Sequence, residues 1–413
     1  MKVALTVHRG TNEIGGNCIE IAHDGQRILL DVGRPLDAPR GMTGLLAPTL
    51  DRTPPVAGVL ISHAHQDHYG LLDETPEHWP VHCGGATEAL IRMTAALGGV
   101  TYRHRFQTWQ SDNPFRLGPF SIRPRLTDHS AFDAYMLEIE VAGRRIFYSG
   151  DFRRHGRKGK LVDALIAHPP AQPDVLLMEG TNLGGNKPHV TETQLEDRFV
   201  DLFRETAGRV FVAWSAQNID RTVTLFRACR KTGRTLAIDI YTAFVLETLS
   251  VQRTIPQPHW PDIRVVFTKR LADMYRKNDA GAFVDRMLRP NGISAKALLA
   301  DPAKWVVMLR KSLVEPYEKA GLHPSADDSW CWSMWSGYLA EDDGQRIADW
   351  FAQSGAQARH IHTSGHASPK DLLAFASALQ PRILVPIHGD RWDDHVAEFP
   401  ATRRLRDGET LEL

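Results

Sequence analysis

Short apolar runs separated by glycine, aspartate or proline dominate the first two hundred residues of the chain. Examples are KVALTVH, CIEIAH, RILLDVG, AGVLISH, AYMLEIEV, RIFYSGD and DVLLMEG. Runs of this length that end at turn residues are typical of β-strands. One stretch between them, residues 86–97, has the periodicity of a helix. Strands flanked by helices predict a layered fold of the α/β or α+β type.

The pattern changes near residue 191. Thr191 and Gln194 have the spacing of a capping box at the start of the helical stretch TETQLEDRFVDLFRETA. Strand and helix signals then alternate, which predicts a small parallel-sheet domain. The last segment is again strand, helix and strand, and Ser368 followed by Pro369 suits the first turn of its helix. A chain of 413 residues is long for one core, so we expect two domains or one domain with a large insertion.

Composition excludes some classes of protein. Formal net charge is zero, with 49 basic and 49 acidic residues, so a polyanion must be bound by a local patch. The four cysteines form no CxxC pair, which argues against a zinc knuckle and fits a reducing compartment. Apolar runs stay well short of about eighteen residues, and the first residues are too polar for a signal peptide. We therefore expect a cytoplasmic protein without a membrane span.

The densest chemical signal is HAHQDH, which places His63, His65, Asp67 and His68 just after the apolar run GVLI. Imidazole and carboxylate groups are ligands that zinc and manganese accept. His63 and His65 are two positions apart, so both side chains can leave a strand end on the same face. One ion rarely takes four ligands from so short a loop, and two ions are the natural interpretation. A polar surface loop rich in histidine is the alternative.

Four more residues of ligand type each end an apolar run elsewhere in the chain. They are His129, Asp151, Glu179 and His388. A dinuclear site needs additional ligands of this kind, including an oxygen that bridges the ions. Each residue alone is a weak signal, because a histidine at a strand end is more often structural. Together they match a known pattern.

The pattern resembles the metallo-β-lactamase superfamily, whose signature is HxHxDH, and within it the β-CASP nucleases of the ribonuclease J family. The similar segments occur in family order: GTNEIGGN (10–17), LLDVG with Asp31, DHS with His129, SGDF with Asp151, MEGTN with Glu179, SGHAS with His366 and PIHGD with His388. Nearly the whole chain is covered. The resemblance implies an α/β fold, an αββα sandwich formed by residues 1–190 and 356–413, with an inserted β-CASP α/β domain at residues 191–355.

The resemblance also implies which residues hold two divalent ions, zinc by preference and manganese as the alternative. The implied ligands are His63, His65 and His129 for one ion, Asp67, His68 and His388 for the other, and Asp151 as the bridge. Asp31 and Glu179 are similar to carboxylates that orient ligand histidines. A structural role is the alternative for both. Catalytic roles are implied for Asp67, Glu179 and His366.

Substrate contacts are implied at two further segments. Ser364, the Gly365 backbone and His366 can surround a phosphate near the start of a helix, and His366 can protonate the leaving oxygen. In WSAQNIDR, Asn218 and Arg221 are similar to residues near the substrate in ribonuclease J. Capping of a helix is an equal alternative for Asn218.

The function that the resemblance implies is hydrolysis of single-stranded nucleic acid, RNA above DNA, by an exo- or endonuclease. A DNA nuclease of the Artemis-like branch is one alternative, but that branch generally lacks the SGHA histidine that His366 supplies. A small-molecule metallo-hydrolase is a second, and the long insertion counts against it. A non-catalytic RNA-processing scaffold would have a degraded ligand set, whereas every ligand position is filled here. A homo-oligomer remains open.

Overall fold

The structure is a computed structural model that describes residues 2–39, 41–185, 190–251, 254–278, 280–289 and 291–413. Over these residues the chain separates into two compact units. The core unit comprises Met1–Ala95, Val100–His189 and Gly365–Leu413, and the inserted unit comprises Ala96–Gly99 and Val190–Ser364. The second unit therefore extends past residue 355, where the sequence pattern placed its end.

The N-terminal part of the core unit consists of short strands with one buried face. In Val3–Arg9, Val3, Leu5 and Val7 are buried while the residues between them are partly exposed, as the two-residue period of a strand requires. The strands are Val3–Arg9 (β1), Cys18–His23 (β2), Gln26–Leu30 (β3), Gly58–Leu60 (β4), Val81–Gly84 (β5), Phe106–Trp109 (β6), Phe115–Leu117 (β7), Phe120–Leu126 (β8), Tyr135–Val141 (β9), Arg144–Tyr148 (β10) and Val175–Met178 (β11).

The inserted unit contains the predicted parallel sheet. Its strands are Val210–Ala213 (β12), Thr235–Asp239 (β13), Ile263–Phe267 (β14), Gly292–Ser294 (β15), Trp305–Leu309 (β16), Ser329–Trp332 (β17) and Gln357–His360 (β18). Over the described ranges they lie in the order β15-β14-β13-β16-β12-β17-β18, and neighbouring strands run parallel. Because β18 pairs with β17, the residues just after 355 belong to this sheet and not to the core.

The chain returns to the core unit with Ile383–Pro386 (β19) and Glu409–Glu412 (β20). The core sheets, read over the described residues, are β20-β1-β2-β3-β4-β5-β6 and β19-β11-β10-β9-β8-β7. Side chains from both sheets form one buried apolar cluster that includes Leu5, Ile21, Leu137 and Val385, so the sheets pack face to face. On the outer face of the second sheet, Phe147 packs in a cluster with side chains of three helices.

Helix starts follow the expected capping chemistry. The capping box of Thr191 and Gln194 is present, and Ser368 accepts a hydrogen bond from Asp371 N with Pro369 in the first turn. The helices are Gln66–Tyr69, Gly85–Leu97, Gly159–Ala167, Glu192–Glu205, Ile219–Thr232, Ile240–Thr248, Lys269–Lys277, Gly281–Leu288, Lys311–Lys319, Asp342–Phe351, Pro369–Leu379 and Trp392–His395, with 3₁₀ turns at Leu72–Glu74, Ala295–Leu299, Pro302–Lys304, Ser336–Ala340 and Val396–Glu398. In the described part of the chain, no helix is long and apolar enough to cross a membrane.

Strand ends bring the ligand-type residues of the core unit to one place. Strands β10, β11 and β19 are parallel neighbours, so their carboxyl ends meet at the same edge of the sheet. Asp151, Glu179 and His388 follow these three strands in that order. His63 follows β4 of the facing sheet, and His129 follows β8. The edge where both sheets end therefore carries the candidate site.

Candidate metal centre

The HAHQDH loop is held by backbone contacts with the segment that follows β3 and with the residue that precedes β2. Val32 N donates to His68 O at 2.8 Å, and Asn17 N donates to Asp67 O at 3.3 Å. Gly33 is so close to this loop that a Cβ atom would lie 1.7 Å from Asp67 O. Only glycine fits at that distance. The glycine of LLDVG is therefore a steric requirement for the backbone from which the loop's side chains project.

The first group of ligand atoms comes from three histidines. His65 Nδ1 lies 3.2 Å from His63 Nε2 and 3.2 Å from His129 Nε2. His63 and His129 are buried, and His65 is partly buried. Three ring nitrogens that face one another across this distance could hold one metal ion.

The second group combines two carboxylates with two histidines. Asp67 Oδ2 lies 3.3 Å from His388 Nε2 and 3.7 Å from His68 Nε2. Asp151 Oδ2 lies 3.1 Å from His68 Nε2 and 3.5 Å from His388 Nε2. This set of nitrogen and oxygen donors could hold a second ion.

Asp151 lies between the two groups. The same Oδ2 atom that contacts the second group is 3.8 Å from His63 Nε2 and 3.9 Å from His129 Nε2. The other oxygen, Oδ1, is buried and has no hydrogen-bond partner among the described residues. A buried carboxylate oxygen normally has a partner, because leaving it unpaired is costly. A metal ion is a chemically suitable partner, so the site fits the divalent metal that its donor set indicates.

The Nδ1 atoms of four histidines point away from the centre, each to an oxygen acceptor. The contacts are His63 with Ser62 Oγ at 3.0 Å, His68 with Asp31 Oδ2 at 2.7 Å, His129 with Gly365 O at 2.6 Å and His388 with Thr181 Oγ1 at 2.9 Å. Ser62 Oγ donates to Asp31 and Thr181 Oγ1 donates to His388 O, so both hydroxyls are free to accept from the imidazoles. A proton held on Nδ1 leaves the Nε2 lone pair for a metal.

Asp31 connects these contacts. Its Oδ1 accepts from Ser62 N at 2.7 Å, and its Oδ2 accepts from Ser62 Oγ at 2.8 Å, from His68 Nδ1 and from Tyr148 OH. Asp31 has φ of +58°, a conformation that aspartate adopts more readily than most residues. The carboxylate therefore lies where a group that orients His68 is expected.

The protonation states of most of these groups suit metal binding. Burial lowers the pKa of His63 and His129 well below the usual histidine range, and lowers the pKa of His65 to about 4. Burial opposes ionisation of Asp151, but the neighbouring histidines His388 and His68 outweigh it and hold the pKa of that carboxyl well below its usual range. Neutral imidazoles and ionised carboxylates are the forms that ligate divalent metals. His68 is the exception: burial would lower its pKa, but the carboxylates of Asp151, Asp67 and Asp31 outweigh burial and raise that pKa well above the usual histidine range.

Glu179 and His366 form a pair beside the centre. Glu179 Oε1 accepts from Phe152 N at 2.9 Å, and Glu179 Oε2 lies 3.1 Å from His366 Nδ1. Burial alone would lower the pKa of His366, but the carboxylates of Glu179 and Asp151 overcome it and raise that pKa to about 9. Asp151, Glu179, His366 and His388 also form a third group within which an ion could be held.

The predicted phosphate segment begins at the end of the inserted unit. Ser364 is the last residue of that unit, and Gly365 is the first residue of the returning core segment. A Cβ atom on Gly365 would lie 2.4 Å from Ser130 Oγ, so a side chain there would displace the loop that carries His129. Gly365 therefore has a steric role together with its carbonyl contact to His129.

Asn218 and Arg221, the predicted substrate contacts of the inserted unit, both have partners within that unit. Asn218 is the N-cap of Ile219–Thr232 and accepts from Arg221 N at 3.0 Å. The Arg221 side chain has no exposed surface, and its guanidinium contacts Glu192 at 3.1 Å and Ser333 O at 2.9 Å. Arg221 is buried within the inserted unit, and Asn218 makes the helix-capping contact that the alternative describes. We therefore do not assign Arg221 to the substrate.

Three supporting residues were not found from the sequence. Ser62 contacts His63 Nδ1, Thr181 contacts His388 Nδ1, and Tyr148 donates to Asp31. Each lies within three residues of a motif residue in the chain, such as Ser62 beside His63. A hydroxyl directly beside a ligand histidine is a usable signal, but the contact of Tyr148 depends on which strands are neighbours.

Two family models match parts of the chain. A family model described as the beta-lactamase superfamily domain matches residues 26–232, which is half of the chain. A second, described as the Zn-dependent metallo-hydrolase RNA specificity domain, matches residues 355–398. The chain belongs to the β-lactamase superfamily, and the predicted metallo-β-lactamase fold is confirmed.

Two of the similar proteins are ribonuclease J enzymes from different bacteria. Ribonuclease J of Helicobacter pylori (strain B128) is 24% identical over 424 residues, covering 97% of this chain and 57% of the relative. Ribonuclease J of Mycobacterium tuberculosis (strain CDC 1551 / Oshkosh) is 25% identical over 415 residues, covering 93% of this chain and 68% of the relative. The chain thus spans little more than half the length of the first of these proteins. The resemblance to ribonuclease J that the motifs predict is confirmed.

One solved structure shares the whole fold. A protein of unknown function from Enterococcus faecalis V583 superposes with a TM-score of 0.79, covers 100% of both chains and is 19% identical in sequence. At this identity the likeness concerns the fold alone.

We expect Asp31→Asn to weaken metal binding by about 10- to 100-fold, the usual effect of removing a group that orients a ligand histidine. The reason is that an amide replaces the carboxylate that accepts from His68 Nδ1. Chelator competition with Zn²⁺ measures the affinity. Asp393→Asn is the control, since that side chain is 72% exposed and pairs with Arg404. Equal affinities in both variants would contradict the role of Asp31.

We expect Arg221→Ala to lower the free energy of unfolding by about 3–5 kcal/mol, because the buried Glu192 carboxylate loses its guanidinium partner. Urea unfolding of the purified protein measures this. The matched control is Arg227→Ala on the same helix, where the side chain is 56% exposed and little change is expected. If the Arg221→Ala protein is stable but has lost affinity for RNA, the result supports the prediction from the sequence that Arg221 contacts the substrate.

Proposed function

We propose that the chain is a two-metal phosphodiesterase that hydrolyses single-stranded RNA at the centre around Asp151. The observation that carries the proposal is the position of Asp151 Oδ2, 3.1 Å from His68 Nε2 on one side and 3.8 Å from His63 Nε2 on the other. A carboxylate between two groups of imidazoles suits a bridged pair of ions. The proposed ligands are His63, His65 and His129 for one ion, and Asp67, His68 and His388 for the other.

Divalent ions held there would supply an activated water and stabilise charge on the oxygens of an in-line displacement at phosphorus. The residues of the chain orient and protect the site. Asp31 and Thr181 keep protons on Nδ1 of His68 and His388, so that both Nε2 atoms face the centre. His68 and His388 have no exposed surface. A dry environment strengthens the electrostatic interactions of the site.

His366 is the residue that we assign to the substrate. Its side chain is 20% exposed, whereas Asp151 is 1% exposed. Glu179 accepts a hydrogen bond from Nδ1 of His366. The Nε2 atom of His366 is therefore available to contact a phosphate oxygen. The Glu179 carboxylate beside Nδ1 favours the protonated form of His366, and that form can donate a proton to the leaving oxygen. Ser364 and the Gly365 backbone precede it and are proposed to contact the same phosphate.

RNA is favoured as the substrate by the similar proteins. The match to an RNA specificity domain includes the segment with His366 and His388, and the ribonuclease J relatives align over most of this chain. The description of that domain as Zn-dependent favours zinc. We propose a cytoplasmic enzyme. Substrates labelled at either end distinguish exonucleolytic from endonucleolytic cleavage, because the two modes give different labelled products.

We expect Asp151→Ala and His65→Ala to reduce cleavage of a 5′-monophosphorylated single-stranded RNA below detection, since each removes a proposed metal ligand. Chelation of the wild-type protein should do the same, and added Zn²⁺ or Mn²⁺ should restore activity. His78→Ala, at an exposed histidine of the same unit, is the control. Single-stranded DNA and a lactone are tested in parallel. Turnover that survives thorough metal removal, or hydrolysis of the lactone alone, would sink the proposal.

We expect His366→Ala to lower kcat for RNA on the order of 10²–10⁴-fold, the range for loss of a general acid, while both metals stay bound. Elemental analysis of the purified variant measures the metals, and single-turnover cleavage measures the rate. Loss of one metal in this variant would show that His366 is a metal ligand, together with Asp151, Glu179 and His388, and does not act on the substrate.

A further inference from the structure

Asn182 holds the backbone that presents His366. Its Nδ2 atom donates to His366 O at 2.9 Å and to Ala367 O at 3.1 Å. One side-chain amide thus binds two successive carbonyl oxygens directly before the helix that Ser368 caps. Carbonyls that precede a helix have no partner within it, so these bonds decide where the short segment lies.

The imidazole of His366 is held from the same turn of the chain. Glu179, three residues before Asn182, contacts His366 Nδ1 at 3.1 Å. Glu179 therefore fixes the ring, and Asn182 fixes the backbone from which the ring projects. The turn between them is closely packed, because a Cβ atom on Gly180 would lie 2.2 Å from Trp392 Nε1. The segment 179–182 thus contacts both the ring and the backbone of His366.

Thr181 lies between Glu179 and Asn182 in the chain but contacts a different histidine. Its Oγ1 accepts from Nδ1 of His388, which we assign to the metals. Neighbouring side chains of one turn therefore act on the two parts of the site separately. Thr181 acts on a metal ligand, and Asn182 acts on the substrate histidine. This difference makes Thr181 a comparison for Asn182 within the same loop.

We propose that Asn182 is a positioning residue for His366, and that it controls the rate of the chemical step without contributing to metal binding. The inference rests on the proposed function, because it takes His366 as the group that contacts the scissile phosphate. A displacement of about 1 Å in a catalytic group can cost on the order of 100-fold in rate. Loss of both carbonyl contacts frees the backbone of His366 to move by such a distance.

The test is a double-mutant cycle between Asn182 and His366 with the full chain. Asn182→Ala removes both donors, and Asn182→Asp removes them with little change of shape. We expect each to lower kcat for single-stranded RNA at least about 10-fold with full metal content. In the His366→Ala background the same changes should lower kcat by less than about two-fold, because the group through which Asn182 acts is gone.

Two other variants show that the effect is specific. Thr181→Val should weaken Zn²⁺ binding in chelator competition, whereas Asn182→Ala should not. Gln172→Ala removes another side-chain amide that donates to a backbone carbonyl, Gln380 O at 2.6 Å, and should leave kcat unchanged. Thermal unfolding of every variant shows whether a lower rate reflects a less stable protein.

Three outcomes would overturn the inference. They are full additivity of the two changes, loss of metal from Asn182→Ala, and unchanged kcat in Asn182→Ala. If the wild-type protein does not cleave RNA, the proposed function fails, and the cycle is then measured by calorimetric binding of inorganic phosphate to the zinc-loaded protein. There we expect His366→Ala and Asn182→Ala each to weaken binding, with no further loss in the double variant. An additive loss or an unchanged affinity in that experiment also overturns the role of Asn182.

Discussion

The carboxylate of Asp151 is the group on which the rest of the core unit's site depends. It is 1% exposed, and its Oδ2 atom lies 3.1–3.9 Å from ring nitrogens of His63, His68, His129, His366 and His388. A buried anion is stable only when positive charge or strong donors compensate for the lost water. Protonated histidines can compensate in part. A pair of divalent ions would compensate fully and would also use the unpaired Oδ1 atom.

Contacts with surrounding residues fix the orientation of these imidazole rings. Hydroxyl, carboxylate and carbonyl oxygens hold the Nδ1 atoms of four histidines, and Asp31 joins two of these contacts through Ser62. The backbone conformation also determines where these side chains lie. Asp31 and His388 both have positive φ, and Gly33 touches Asp67 O too closely for any side chain. The two sheets therefore end in a rigid set of ligand positions.

Much of this could be predicted because the chemistry is local in sequence. HAHQDH places four ligand-type side chains on one loop, and the helix starts at Thr191 and Ser368 follow from short-range hydrogen bonds. The role of Arg221 could not be predicted in the same way. An arginine in a motif looks the same whether it faces substrate or a buried Glu192, and only the packing of Glu192–Glu205 against Ile219–Thr232 distinguishes them. The end of the inserted unit at Ser364 depended likewise on which sheet β18 joins, and the contact of Asn182 with His366 joins residues 184 positions apart.

We propose that Asp151 lies between two bound ions. Anomalous X-ray diffraction from crystals of the zinc-loaded protein, collected on both sides of the zinc absorption edge, locates these ions. We expect two peaks per chain flanking the Asp151 carboxylate, one within bonding distance of His63, His65 and His129 and the other of Asp67, His68 and His388. A single peak, or a second peak held by His366 and Glu179 instead of Asp67 and His68, would contradict it.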